Sequence, residues 1–227
     1  MAVNEIYQYS VMSALMAGVA TTGIPLPTLL KQGDHGIGTF TYMQSELILI
    51  DGIAWQVNGD GSIVALDRTD VAIELPFAMV TRFSPTLQMR VSVSGKASFA
   101  AMLAHLLPDA GNLFVAVRLQ GQFRSVVVRT SLGQSFPGQA LPDAEKNQAV
   151  FALEGAGVVV GFRSPRFIRG VGVAGLHFHF ASHVGGHGGG HVLEMEGDDV
   201  ELQAAVVTKV HLELPAEDTE YNTAVLN

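Results

Sequence analysis

Residues 175–180 read Gly-Leu-His-Phe-His-Phe, an apolar stretch in which two histidines are separated by one residue. Successive side chains of a β-strand point to opposite faces of the sheet, so His177 and His179 are expected on one face. A glycine-rich turn follows and ends in Gly-Gly-His-Val-Leu at residues 189–193, which can fold His191 back beside them. Three imidazoles that converge in this way predict a metal site on a sheet.

The available ligands restrict the metal and its role. A catalytic zinc ion commonly has three protein ligands and one position open to water or substrate, whereas structural zinc has four ligands, often cysteines. The chain contains no cysteine, so imidazole and carboxylate groups must supply the ligands, which suits zinc, iron, nickel, copper or manganese. A His-x-His pair alone favours two strand residues on a solvated face, and it is the third histidine behind the glycine-rich loop that reverses this in favour of a metal site.

The loop between the two strands leaves the third ligand open. His183 and His187 both lie in it, and residues 185–187 repeat the Gly-Gly-His of residues 189–191. Spacing alone therefore allows His187 in place of His191. The same loop also fits a non-catalytic module that captures nickel, copper or zinc.

The composition is typical of a globular protein. Of 227 residues, 48% are hydrophobic and only 15% are charged, which excludes a disordered chain. The net charge of −8 and the lack of a Lys/Arg cluster argue against nucleic acid as a partner. The absence of cysteine excludes disulfides and a thiol nucleophile, and it fits a reducing compartment.

Residues 6–30 carry no charge, and this uncharged segment is long enough to span a membrane. Polar residues, glycines and prolines interrupt the segment, and Glu5 is the only charge before it, so a signal peptide is not indicated. The pattern instead predicts a short buried helix over residues 11–18 with Ser10 as its N-cap. No membrane partner and a cytoplasmic location are expected.

The remaining pattern is mostly strand and predicts an α+β fold. A helix is predicted over residues 98–107, where Pro108 follows, and a Pro/Gly-rich break falls at residues 136–143. We therefore predict two tandem mixed β-sheet halves with few helices, residues 1–140 and residues 141–227, with the metal ligands in the second half and the site near the interface. Strands are predicted at residues 45–50, 54–57, 73–83, 88–93, 113–119, 125–129, 157–163, 172–180 and 202–214.

Several short motifs occur together and in a fixed order. They are Tyr-Gln-Tyr-Ser-Val-Met-Ser-Ala-Leu-Met at residues 7–16, Gly-Asp-His-Gly-Ile-Gly-Thr-Phe at residues 33–40, Glu46 with Asp51-Gly52, Pro-Phe-Ala at residues 76–78, and the block His177/His179/His191. In this combination the chain resembles the alpha-acetolactate decarboxylases from about Tyr7 to about Val206.

The resemblance implies a reaction and a set of site residues. The reaction is the zinc-dependent decarboxylation of (S)-2-acetolactate, a 2-hydroxy-3-keto acid, to (R)-acetoin and carbon dioxide. The metal ligands implied are His177, His179 and His191, and the residues implied to line the pocket are Thr39, Glu46 and Arg129. Taken alone, Glu46 fits an edge-strand charge, Arg129 a strand-end side chain in water, and Thr39 an ordinary strand residue.

Each implied residue has a chemical role. Zinc would act as the electron sink for an enediolate, Arg129 would bind the substrate carboxylate together with Thr39, and Glu46 would deliver the proton that sets the product's configuration. A homodimer is expected. The alternatives are a zinc hydrolase that attacks an ester or lactone, and the metal-binding module, which would need neither Glu46 nor Arg129.

Two features depart from the family. The loop between His179 and His191 is longer by one residue and richer in histidine. Family members also bring a glutamate from the C-terminal tail into the site, whereas here Glu217 and Glu220 are the candidates and neither lies in a recognisable motif.

Overall fold

The computed structural model describes residues 2–182 and 188–226. The strands are β1 (Ile6–Tyr9), β2 (Ile24–Pro25), β3 (His35–Thr39), β4 (Ser45–Ile50), β5 (Ile53–Asn58), β6 (Ile63–Ala65), β7 (Glu74–Leu75), β8 (Phe77–Thr81), β9 (Leu87–Ser94), β10 (Phe114–Thr130), β11 (Ala149–Ser164), β12 (Gly175–Ser182), β13 (Gly189–Val207) and β14 (Val210–Glu213). The helices are α1 (Met12–Met16), α2 (Leu26–Leu29), α3 (Lys96–Leu106), α4 (Leu141–Ala144) and α5 (Thr219–Thr223), with 3-10 turns at Thr41–Met43, Pro108–Ala110, Glu145–Asn147 and Arg166–Ile168. The predicted α+β class is confirmed.

The first sheet has seven strands in the order β14-β1-β8-β3-β4-β5-β6. Its strands pair antiparallel except for the parallel pair β1–β14, so this sheet is mixed. Both faces are buried, because Ile48 of β4 packs toward the second sheet while its neighbours Leu47 and Leu49 pack beneath α2. This explains why residues 45–50 read as a nearly continuous apolar run.

The second sheet has the order β10-β11-β12-β13-β9, and all its pairs are antiparallel. Because β13 also pairs with β10, strands β10 to β13 close into a ring. Alternate residues of these strands fill the ring, among them Val117, Phe178 and Phe180, and Phe99 of α3 covers the core. The other face of the ring packs against the seven-stranded sheet through residues such as Ala116.

The sheets group the strands differently from the predicted halves. β9 and β10 precede residue 140 but belong to the same sheet as β12 and β13, whereas β14 follows it and joins the seven-stranded sheet. The second sheet is also antiparallel and not mixed. A Pro/Gly-rich break marks a loop, but it does not determine which distant strand each segment pairs with. The division at residue 140 as a domain boundary stays a prediction.

Local differences have simple causes. Ser10 is not the cap of α1, because the helix begins at Met12 after Val11, and Ser10 has a positive φ of 64°. The strands predicted at residues 113–119 and 125–129 are one strand, β10, with a register irregularity between Phe123 and Val126. The single strand predicted over residues 202–214 is divided between β13 and β14.

The uncharged segment of residues 6–30 forms β1, α1, β2 and α2. Each element is short, and Pro25 begins the turn into α2. In the part of the chain that the structure describes, no helix has the length and apolar character that crossing a membrane requires.

His35 of β3 is a buried titratable group that connects the two sheets. Its Nε2 donates to the carbonyl oxygen of Val117 at 3.1 Å, and its ring stacks on Phe83. Burial, followed by the charge of Arg118, lowers the pKa of His35 from 6.5 to about 4. The folded state therefore binds fewer protons than the unfolded state between these two pH values.

We expect the free energy of unfolding to decrease as pH falls from 6.5 toward 4, with His35 contributing up to about 3 kcal/mol of the loss. The stabilisation is fully present above pH 6.5 and is lost as the unfolded chain takes up the proton. Chemical denaturation of His35→Gln at pH 7.5 and pH 5 measures this share against the exposed control His105→Gln. A pH dependence equal to that of the control would contradict the assignment.

Candidate metal centre and active site

The three histidines are placed by strand alternation and by register. On β12, Phe178 and Phe180 fill the ring core, so His177 and His179 point to the opposite face, toward the seven-stranded sheet. His191 of β13 pairs directly with His179 across the ladder. The cluster therefore lies between the two sheets.

Gly190 allows the close strand approach that this register requires. Its φ is +147°, and a Cβ atom there would lie 2.5 Å from the carbonyl oxygen of Arg129. Any other residue would push β13 away from β10. The glycine thus places His191 beside both His179 and Arg129, which pair with it on either side.

The three imidazoles converge on one point. One ring nitrogen from each of His177, His179 and His191 lies within 4.8 Å of the other two. The ring centroids are 5.0 to 5.5 Å apart. Three nitrogens at these distances can surround a single metal ion.

His179 shows which of its nitrogens is available. Its Nδ1 lies 2.8 Å from the carbonyl oxygen of Leu47, which can only accept, so Nδ1 carries the proton. Its Nε2 is left with a lone pair, and this buried atom has no hydrogen-bond partner among the residues described. A backbone carbonyl that orients an imidazole in this way is typical of metal-binding histidines.

Burial keeps all three imidazoles neutral. It lowers the pKa of His179 to about 4, and together with the neighbouring histidines, Lys96 and Arg129 it lowers the pKa values of His177 and His191 well below 6.5. Neutral nitrogens in a buried cluster fit a cation better than they fit protons.

Glu46 lies next to the cluster. It pairs with Thr39 across β3 and β4, and its Oε2 is 3.7 Å from Nε2 of His179. Burial raises the pKa of Glu46 to about 7, although the charge of Arg129 opposes this effect. The carboxyl group can therefore hold or release a proton near neutral pH.

Arg129 and Thr39 complete the predicted set. Arg129 is bound by two partners, with its Nη1 2.6 Å from Oε1 of Glu145 and 2.9 Å from Oε1 of Gln148. The hydroxyl of Thr39 donates to the carbonyl oxygen of Ser45 at 3.0 Å. All predicted site residues line one cavity. The hydroxyl proton of Thr39, however, is already donated to a backbone carbonyl.

These groups line one cavity of about 400 Å³. Its polar side is formed by the three histidines together with Thr39, Glu46, Arg129, Thr130, Ser131, Glu145 and Gln148, and its apolar side by Met12, Leu15, Met16, Met43, Phe77, Leu141 and Val173. The arrangement can bind a small anion beside a cation and shield it from water.

Comparisons with known proteins point to one family. The model of the family described as alpha-acetolactate decarboxylase matches residues 6–227. The chain belongs to the alpha-acetolactate decarboxylase family. It is 35% identical over 220 residues to the alpha-acetolactate decarboxylase of Methanosarcina mazei, covering 96% of this chain and 75% of that protein. It is 33% identical over 215 residues to that of Bacillus subtilis, covering 94% of this chain and 82% of that protein.

A solved structure extends the family likeness to the fold. The crystal structure of alpha-acetolactate decarboxylase from Bacillus subtilis superposes with a TM-score of 0.91 at 31% identity, and covers 98% of this chain and 94% of that one. Members of this family are carboxy-lyases by their named activity, so the predicted enzyme class is confirmed. The hydrolase and the non-catalytic module find no support in these comparisons.

The other candidate residues lie elsewhere. Glu220 accepts a hydrogen bond from the hydroxyl of Thr21 at 2.5 Å and lines, with Glu217, a separate surface cavity. Neither glutamate lines the histidine cavity. His183 and His187 lie outside the described residues.

Glu145 and Gln148 line the site but were missed by sequence reasoning. Both follow the Pro/Gly-rich break at residues 136–143, which was expected to be a boundary. No periodicity or motif marks them, and their role is visible only because Arg129 reaches them across 16 and 19 residues of chain.

Proposed function

We propose that this protein converts (S)-2-acetolactate to (R)-acetoin and carbon dioxide, with a zinc ion held by His177, His179 and His191. The observation that carries the proposal is the convergence of three neutral imidazoles beside a protonatable Glu46 and the cationic Arg129 in one cavity. The activity named for the related proteins of Methanosarcina mazei and Bacillus subtilis supports the same substrate.

The residues present fit a metal ion. Nε2 of His179 is buried with an unused lone pair, and the three ligands are uncharged nitrogens. Uncharged ligands leave the charge of a dipositive ion available to the substrate. When bound, the ion would act as a Lewis acid that stabilises the negative charge developing on the substrate oxygens.

Arg129 would bind the substrate carboxylate. A guanidinium matches a carboxylate with two parallel N–H donors, which fixes the orientation of the group that leaves. Its side chain is only 24% exposed, so water competes weakly for these donors. Holding the carboxylate in one orientation aligns the carbon–carbon bond that breaks.

Glu46 would supply the proton. Loss of carbon dioxide from the acetolactate anion leaves an electron pair on the carbon that carried the carboxylate, and one proton must be added there to give acetoin. Glu46 is close enough to the histidine cluster to act from one side, and its burial excludes water as a competing acid. Delivery from one side yields one enantiomer.

Thr39 would bind the substrate through an oxygen and not through its proton. Its hydroxyl already donates to Ser45, so its oxygen can only accept, for example from the substrate hydroxyl. The register of β3 and β4 places Thr39 opposite Glu46, and both side chains line the cavity.

Acetoin formation tests the proposed function. The purified protein is expected to release carbon dioxide and (R)-acetoin from (S)-2-acetolactate, to lose this activity after dialysis against a chelator, and to recover it when zinc is added back. Chiral gas chromatography identifies the product, and elemental analysis measures the metal. Full activity in demonstrably metal-free protein would exclude the metal-dependent reaction.

Zinc as the metal bound in the cell, the homodimer and the cytoplasmic location stay predictions. Zinc, manganese and iron supplied in turn to metal-free protein would rank the ions by restored turnover. Light scattering on the purified protein would measure the oligomeric state.

A further inference from the structure

The ion pair between Arg129 and Glu145 holds the arginine by one of its three nitrogens. Nη1 of Arg129 lies 2.6 Å from Oε1 of Glu145, with which it forms an ion pair, and donates a hydrogen bond to Oε1 of Gln148 at 2.9 Å. No residue in the described ranges is hydrogen-bonded to Nε or Nη2. The opposite edge of the guanidinium, made of these two nitrogens, is therefore left for a ligand with two oxygens.

The segment that carries Glu145 is anchored to the cavity. Leu141 packs against the cluster formed by Leu15, Met43 and Phe77, which also line the cavity wall, and Ala144 is buried. Glu145 itself is about one-third exposed. An anchored carboxylate at the cavity edge can fix the direction of a long, flexible arginine side chain.

We infer that Glu145 is a positioning residue that holds Arg129 so that its Nε/Nη2 edge binds the carboxylate of the substrate. The inference rests on the proposed function. Glu145 acts through Arg129 and touches no reacting atom. The rival role is competition, in which the anionic Glu145 occupies Arg129 and must be displaced by the substrate.

Two small ligands, used as probes, distinguish a loss of carboxylate binding from a general loss of ligand binding. The probe 2-hydroxy-2-methylpropanoate carries a carboxylate, whereas acetoin has none. In Glu145→Ala we expect the dissociation constant of the carboxylate probe, measured by titration calorimetry, to rise about tenfold and that of acetoin to change less than about twofold. KM for acetolactate should rise together with the constant of the carboxylate probe, while kcat changes less than about threefold.

The variant Glu145→Gln distinguishes positioning from competition. It keeps an oxygen that can contact Nη1 but removes the charge, so it should restore carboxylate binding to within about threefold of the wild type. The matched control is Asp143→Asn, which lies two residues away and is paired with exposed Lys146 at the surface. This control should leave both constants unchanged. Thermal unfolding of each variant verifies that it is folded.

Opposite results would overturn the inference. Tighter carboxylate binding in both Glu145 variants would show competition, and equal weakening of both probes would show a merely structural role. Failure of the proposed function is a separate result, because wild-type protein would then not form acetoin at all, whereas the probe constants of the variants can still be compared.

Discussion

Replacement of His179 by alanine is expected to remove both the bound metal and more than about 99% of acetoin formation. The Nε2 that is lost is the buried lone pair left without a partner among the described residues, and two imidazoles alone hold an ion weakly. Elemental analysis of the purified variant, followed by the acetoin assay with and without added zinc, measures both effects.

Two further histidine substitutions and a measurement of folding accompany this experiment. His191→Ala should behave as His179→Ala does, whereas His187→Ala should retain metal and turnover. Because the alanine at position 179 leaves the carbonyl of Leu47 without its donor, a loss of about 1 kcal/mol in stability is expected, and circular dichroism verifies folding. Metal retained by His191→Ala and lost by His187→Ala would reverse the assignment of the third ligand.

Glu46→Gln is expected to keep the metal and to lose about 100- to 10,000-fold in turnover. Glutamine has the shape of glutamate, but its amide cannot donate the proton that replaces carbon dioxide. The remaining product should also lose enantiomeric purity, since water would deliver the proton from either side. Metal content, kcat and chiral analysis of acetoin measure the three effects.

The pH profile adds an independent check on Glu46. Burial raises the pKa of this carboxyl to about 7, and a cation bound beside it would lower that value. Because the protonated form is the donor, kcat should fall as pH rises through a pKa at or below about 7, and the residual rate of Glu46→Gln should lack this step. The exposed Glu217→Gln serves as the control and should match the wild type. Equal loss of metal in Glu46→Gln and His179→Ala would contradict the separate roles.

Much of the site was predictable because strand geometry is local. The spacing of His177 and His179 determines that they share a face, and the aromatic residues between and after them determine which face is the core. Thr39 and Glu46 belong to two strands joined by a short connection, so their proximity also follows from neighbouring segments. The family motifs supplied the remaining assignment.

Features that depend on distant pairings were not predictable. Glu145 lies in no sequence motif or periodic pattern, and it becomes a site residue only because β10 places Arg129 beside it. The grouping of β9 and β10 with the histidine strands likewise depends on which strands pair, and composition does not encode that choice.

By itself the sequence determined the chemistry available to this protein: imidazole ligands without thiols, a His-x-His strand, and the motifs of the alpha-acetolactate decarboxylases. Only the tertiary structure decided how those groups meet. The register of β13 sets His191 between His179 and Arg129, and the packing of the two sheets buries Glu46 against the cluster. The reason is physical: residue type and strand alternation are local properties, whereas register, burial and ion pairing are set by contacts between segments far apart in the chain.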